Sequence, residues 1–154
     1  MVLRIEDVTI RKVLIIESEC SIKEATEMMD QYSSSSLVVL ENNKVEGILT
    51  TRDIVSRVIA LGLDPNEVKV RDAMSSPVIM MRPEAPLEEA IKIMIQRKIK
   101  KLPLVEGEKS QAKLVGLLSL TDIVEYHTEI FSTLWQQALL TVPAEEEKGD
   151  FIVV

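Results

Sequence analysis

Cysteine and histidine are nearly missing from this sequence of 154 residues, where Cys20 and His127 stand alone. One cysteine excludes an intrachain disulfide framework and a multi-cysteine zinc site; one histidine leaves no His-rich metal site and no histidine relay. Basic charge is short as well, with 18 Lys and Arg against 25 Asp and Glu and a net charge of −7. Nucleic-acid binding without sequence preference runs on a basic face that neutralises phosphates, so nucleic acid is a poor partner for this chain. No apolar run approaches the roughly 20 residues of a membrane helix. Residues 1–10 carry Arg4, Glu6 and Asp7 and do not read as a signal peptide. These absences point to a cytoplasmic protein held off the membrane. Absent too are a G-x-S-x-G elbow, a P-loop, a zinc-binding H-x-x-x-H helix and a glycine-rich dinucleotide turn, so the expectation is a protein that is not an enzyme. Aromatics make up 3% of the chain, which leaves aliphatic and methionine side chains to fill the core. A chain of this length buries roughly 70% of its unfolded surface and needs no staples.

What the chain does contain is itself, twice. Shifted by 65 residues, Asp7 falls on Asp72, Val13 on Val78, Glu24 on Glu89, Ala25 on Ala90, Met29 on Met94 and Leu37 on Leu102. The spacing then becomes 69, and Gly47 falls on Gly116, Asp53 on Asp122, Ile54 on Ile123 and Val55 on Val124. The four extra residues lie between Glu106 and Ala112, where copy one has only Glu41, Asn42 and Asn43. Loops tolerate such insertions and regular elements do not, so the break in register falls where a true repeat permits it.

Each copy reads β-α-β-β-α. Residues 13–16 and 78–81 are short apolar runs, expected as buried strands. A helix follows each: Ser21 and Glu24 form a capping-box pattern, and Pro86 sits where a missing N–H costs nothing. Residues 37–40 and 102–105 are the next strands, and 44–49 and 113–118 the last. A second helix is expected over 51–61 and from about Leu120 onward. The organisation is therefore a first repeat over 5–61, a linker over 62–69, a second repeat over 70–125, and a C-terminal helix with an acidic tail over 126–154. Neither repeat has enough strands to close a core alone. The fold class is α/β, with two repeats packed about a pseudo-twofold axis and a C-terminal helical extension.

Thr50-x-x-Asp53 and Ser119-x-x-Asp122 each stand between a strand end and a helix start. Ser or Thr at an N-cap accepts a backbone N–H, and an acid in the first turn favours the positive end of the helix dipole, so capping alone would account for them. The same pattern also suits a nucleotide, because free N–H groups at a helix start attract phosphate and a carboxylate accepts ribose hydroxyls. Both readings stay open. Arg52, Arg57, Arg97, Lys98, Lys100 and Lys101 would neutralise ligand phosphates or form a solvated face; Lys100 and Lys101 are the better placed. Residues 33–36, all serine, are the matching stretch of copy one.

The order Met74-Ser75-Ser76-Pro77-Val78, then Leu87-Glu88-Glu89-Ala90, then Leu102-Pro103-Leu104-Val105, then Gly116 through Asp122, resembles the CBS domain, named after cystathionine β-synthase. Gly47-Ile48-Leu49-Thr50-Thr51-Arg52-Asp53 resembles it in copy one. The resemblance covers residues 5 to about 125 as a tandem pair, or Bateman module. It implies clefts between the repeats for AMP, ADP, ATP or S-adenosylmethionine, regulation of another protein rather than chemistry, no catalytic cofactor, and a homodimer. By the same resemblance Asp53 and Asp122 would grip ribose, with Thr50 and Ser119 near ribose or phosphate. Adenine would meet largely backbone, at Val13, Ser36 and Leu37 in copy one and at Pro77, Val78, Leu102 and Pro103 in copy two. Lys12 and Val38 stand where copy two has Pro77 and Pro103. Copy two, with two prolines and Lys100 and Lys101, is the expected stronger site. A plain dimerisation module with empty sites is the alternative.

From Ile123 the apolar positions continue through His127, Ile130, Phe131, Leu134, Trp135 and Ala138 on one helical face. This face is expected either to fold back on its own repeat or to pair with a second subunit. Pro143 is expected to end the helix, residues 144–150 to form a solvated acidic tail, and residues 151–154 to add as an edge strand.

Overall fold

The computed structural model describes residues 2–9, 12–108 and 112–141. In the first repeat, β1 (Ile15–Glu17) pairs in parallel with β2 (Ser36–Glu41), and β2 pairs antiparallel with β3 (Lys44–Thr50), in the order β1-β2-β3. Between β1 and β2 lies α1 (Ile22–Gln31), whose start is the expected capping box. Glu24 N–H donates to Ser21 Oγ at 3.1 Å, and Ser21 N–H donates to Glu24 Oε2 at 2.7 Å. These bonds satisfy two of the helix's orphan donors. Its stripe of Ile22, Ala25 and Met29 is buried against Leu37, Val39 and Leu49 of the sheet, in one core cluster.

The second repeat keeps the plan with one strand fewer. α4 (Leu87–Arg97) precedes β4 (Lys101–Glu106), which pairs antiparallel with β5 (Lys113–Ser119). The strand expected over 78–81 shrinks to a single parallel bridge between Met81 and Leu104. The cause lies in the sequence. In repeat one, Val38 N–H donates to Leu14 O at 3.0 Å. Pro103 stands at that position in repeat two and has no N–H to give, so the ladder cannot begin there. Bonding resumes at Met81, whose N–H reaches Pro103 O at 3.1 Å and whose carbonyl accepts from Val105 at 3.0 Å.

The two repeats exchange their first segments. A 3-10 turn, Ile5–Asp7, lies on the core of repeat two, and α3 (Val70–Ala73) lies on the core of repeat one. The bonds that fasten them come in matched pairs. Leu87 N–H donates to Leu3 O and Ile22 N–H to Val68 O, both at 2.9 Å. Glu6 N–H reaches Pro83 O at 2.9 Å as Arg71 N–H reaches Ser18 O at 3.0 Å. This reciprocity is the pseudo-twofold relation in hydrogen bonds. Glu19 fixes the α3 side further, by ion pairs to Lys69 and Arg71.

Both later helices depart from the expected form. The helix over 51–61 divides into α2 (Thr51–Ile54) and a π-helical turn, Val55–Ile59. The helix expected to run on from Ile123 breaks at His127, with φ −136° and ψ 46°, into α5 (Leu120–Tyr126) and α6 (Thr128–Thr141). The break lays α6 on repeat two's core, where Ala138 is buried and Ile130, Phe131, Leu134 and Trp135 are partly so. Phe131 and Trp135 rings meet at 5.1 Å between centroids. The aromatic face thus folds back on its own repeat, and its apolar burial supplies the reason. Pro143, the acidic stretch and residues 151–154 lie outside the described residues.

Candidate functional site

In repeat one, β2 and β3 place Ser36 opposite Thr50 at the end of the hairpin. Thr50 caps α2, and Asp53 closes the box behind it: Asp53 N–H donates to Thr50 Oγ1 at 3.2 Å. Asp53 Oδ2 accepts from Thr50 N–H at 2.9 Å and from Thr50 Oγ1 at 3.0 Å. The other carboxylate oxygen is also engaged. Ser75 Oγ donates to Oδ1 at 3.4 Å, and Arg57 Nη1 stands 3.5 Å from it. Arg57 is itself tied down, since Nη1 donates to the carbonyls of Ala73 at 2.8 Å and Met74 at 2.9 Å. Asp53 is 8% exposed. Arg57 therefore braces Asp53 and α3 through Nη1, and both it and Arg52 are exposed.

In repeat two the matching residues are differently placed. Lys101 lies opposite Ser119 across β4 and β5. Ser119 caps no N–H with its side chain; its Oγ is buried and has no hydrogen-bond partner among the described residues. Such an orphan costs about 1–3 kcal/mol unless something fills its bonding capacity. Asp122 is half-buried, with no side-chain hydrogen bond or ion pair to another described residue. Ser36 Oγ, at the position matching Lys101, is likewise buried and unpartnered.

In repeat one the segments that the resemblance assigns to adenine come to the same end. The parallel register of Ile15 with Val38 sets Val13 level with Ser36. In repeat two only Met81 is bridged, to Leu104, and Val78 lies three residues before it outside any strand. Val13 and Val78 are half-buried, and Pro77 and Lys100 exposed. Leu37, Leu102 and Pro103 are buried, so they offer a cleft their backbone and not their side chains. The structure thus gathers Val13, Ser36, Thr50 and Asp53 at one sheet end, and Lys101, Ser119 and Asp122 at another. Sequence reasoning missed Ser75, two residues before Pro77, whose hydroxyl touches Asp53; no spacing rule pointed to it. The Asp53–Arg57 pair carried a signal, its i, i+4 spacing.

A groove of about 510 Å³ opens beside repeat one between α1, Ser33, Ser34, Ser35 and α2. It takes Thr51 and Ile54 rather than Thr50 and Asp53, so it lies on the outer helical face and not at the sheet end. Burial, with Glu24 adding to it, pushes the Cys20 thiol up. No group of three or more His, Cys, Asp or Glu residues able to hold a metal occurs among the described residues. No helix among them is long and apolar enough to cross a membrane.

A family model for the CBS domain matches residues 5–60 and 70–129. The chain is 32% identical over 120 residues to an uncharacterized protein of Methanopyrus kandleri, covering 78% of this chain and 60% of that one. It is 32% identical over 119 residues to the CBS domain-containing protein YhcV of Bacillus subtilis, covering 77% and 81%. It is also 30% identical over 121 residues to inosine-5'-monophosphate dehydrogenase of Methanocaldococcus jannaschii, of which it spans 23%. Among solved structures, an uncharacterized conserved protein from Pyrococcus horikoshii superposes with a TM-score of 0.71 at 30% identity, over 81% of this chain and 92% of that one. A hexameric CBS-CP12 protein from bloom-forming cyanobacteria superposes with a TM-score of 0.73 at 25% identity, over 96% and 79%.

Proposed function

We propose that this chain, which belongs to the CBS-domain family, is a regulatory module that takes an adenosine-containing ligand and passes its occupancy to a protein it regulates. The ligand is AMP, ADP, ATP or S-adenosylmethionine, and no catalytic cofactor takes part. One observation carries the reading. Ser119 Oγ is buried without a partner, three residues before the half-buried Asp122 and opposite Lys101. An acceptor carboxylate, an unsatisfied hydroxyl and a cation at one sheet end suit a ribose with a phosphate on it. A chain that used these residues only as a cap would have bonded them to one another, as repeat one does.

Regulation in place of chemistry fits the composition of the site, which has no paired general acid and base and no nucleophile beside a base. It fits also the small fraction of inosine-5'-monophosphate dehydrogenase that the chain matches. We place the protein in the cytoplasm as a homodimer, supported by exposed apolar side chains on repeat one, Val55 at 59% and Ile59 at 55%. Sedimentation at tens of micromolar is expected to give a dimer; a monomer contradicts that part. The ligand is tested by calorimetric titration of the full chain with the four candidates. At least one is expected to bind the wild type and to bind Asp122→Asn at least tenfold more weakly. Silence from all four leaves the structural dimerisation module as the reading.

A further inference from the structure

We infer that Arg57 makes the two repeats unequal, holding Asp53 away from ligand so that the chain fills its second repeat alone. The inference rests on the adenosyl-ligand reading and assigns stoichiometry to it. Three facts carry it. First, both oxygens of Asp53 are in use, Oδ2 by Thr50 and Oδ1 by Arg57 and Ser75. A ribose would have to displace a cation to reach it. Second, that cation is tied back to the fold, because Nη1 also donates to the carbonyls of Ala73 and Met74 at the end of α3. Arg57 lies in the π-helical turn that follows α2, and from there it joins the two elements. Third, the spacing of 69 puts Tyr126 at the matching position of repeat two. Asp122 therefore has no arginine four residues on, and it makes no ion pair to another described residue.

The geometry also says why the difference is fixed in the fold. Arg57 grips the last carbonyls of the exchanged segment, which continues through Ser75 toward Pro77 and Val78. An occupied second site is compatible with the grip; an occupied first site is not.

Calorimetric titration of the full chain with AMP, and separately with S-adenosylmethionine, tests this. Wild type is expected to take one equivalent per chain, lost in Asp122→Asn and kept in Asp53→Asn. Arg57→Met, which retains the apolar stem and removes the cation, is expected to take a second equivalent, lost again when Asp53→Asn is added. Because Arg57 also secures α3, circular dichroism melting accompanies that variant, and Tyr126→Arg gives a test independent of it. Tyr126→Arg sets an arginine four residues after Asp122, the spacing of Arg57 from Asp53, and is expected to weaken binding at least tenfold. Two equivalents in wild type overturn the inference, as does unchanged binding in Tyr126→Arg or one equivalent in folded Arg57→Met. Absence of heat with both probes in every variant overturns the adenosyl-ligand reading instead.

Discussion

The N–H of Ile5 donates to the carbonyl of Ala85 at 3.0 Å, so the first described turn of the chain closes the core of the second repeat. Its counterpart is Val70 N–H on Cys20 O at 2.8 Å. Ile5 and Val70 are both fully buried, each in the other repeat's core. Ile5→Ala is expected to cost about 2–5 kcal/mol, the range for truncating a buried isoleucine. Because the cavity opens in repeat two, amide exchange should quicken on α4 before α1. Urea unfolding and exchange mass spectrometry read the two effects; faster exchange confined to α1 would contradict the exchanged segments.

Gly47 and Gly116 occupy the same position in the two copies but not the same space. A Cβ on Gly47 would lie 2.6 Å from Ser75 O, a backbone atom, and 2.7 Å from Met74 Sδ. On Gly116 the nearest atom would be Thr9 Cγ2 at 3.3 Å. Gly47→Ala should therefore destabilise by about 1–3 kcal/mol through overpacking, and Gly116→Ala by less. Chemical denaturation of the two variants side by side checks the order.

Asp53 and Asp122 should separate stability from binding. Asp53→Ala removes the acceptor of Thr50, Ser75 and Arg57, and leaving such donors unpaired costs about 1–3 kcal/mol. Asp122→Ala should cost only about 0.3–1 kcal/mol, the value of a helix-terminus charge. Affinity for AMP or ATP should run the other way, with the larger loss at Asp122. Melting curves and titrations on the same two variants measure both.

Glu19 makes part of the stability depend on acid. The hydrogen bond from Lys69, with the charges of Arg71 and Lys69 behind it, holds its carboxyl below the usual range. A carboxyl whose folded pKa is depressed contributes stability above its unfolded pKa of roughly 4.3 and loses it as pH falls through the folded value. The urea midpoint of the wild type should thus drop more between pH 6 and about pH 3 than that of Glu19→Gln. Equal slopes would show that the Glu19 ion pairs are too screened to count.

Much of this architecture was legible because the repeat is written in apolar positions and caps. Ser21 with Glu24, the stripe of Ile22, Ala25 and Met29, and the paired strands after each helix follow from local rules. The exchange of Ile5 and Val70 is a tertiary choice between two equal cores, and no local rule distinguishes them. The lost strand before α4 was written in Pro103, whose missing N–H matters only once its partner is known. His127 looked like one more residue of a helical face; the break there answers to packing on α4. At the sites, Thr50 with Asp53 and Ser119 with Asp122 read as equals. Only the fold shows one pair closed on itself and the other left open, because Ser75 reaches Asp53 through a contact that spacing does not display, and the i, i+4 spacing of Arg57 does not say that the pair forms.

The most direct test of the account is the melting temperature of the full chain with and without AMP, ATP and S-adenosylmethionine, repeated on Asp122→Asn. A ligand at a hundredfold excess over its dissociation constant stabilises the fold by about 2.7 kcal/mol. The account predicts that at least one of the three raises the melting temperature of the wild type and that the rise disappears in Asp122→Asn. No rise with any of them, or an equal rise in the variant, would contradict it.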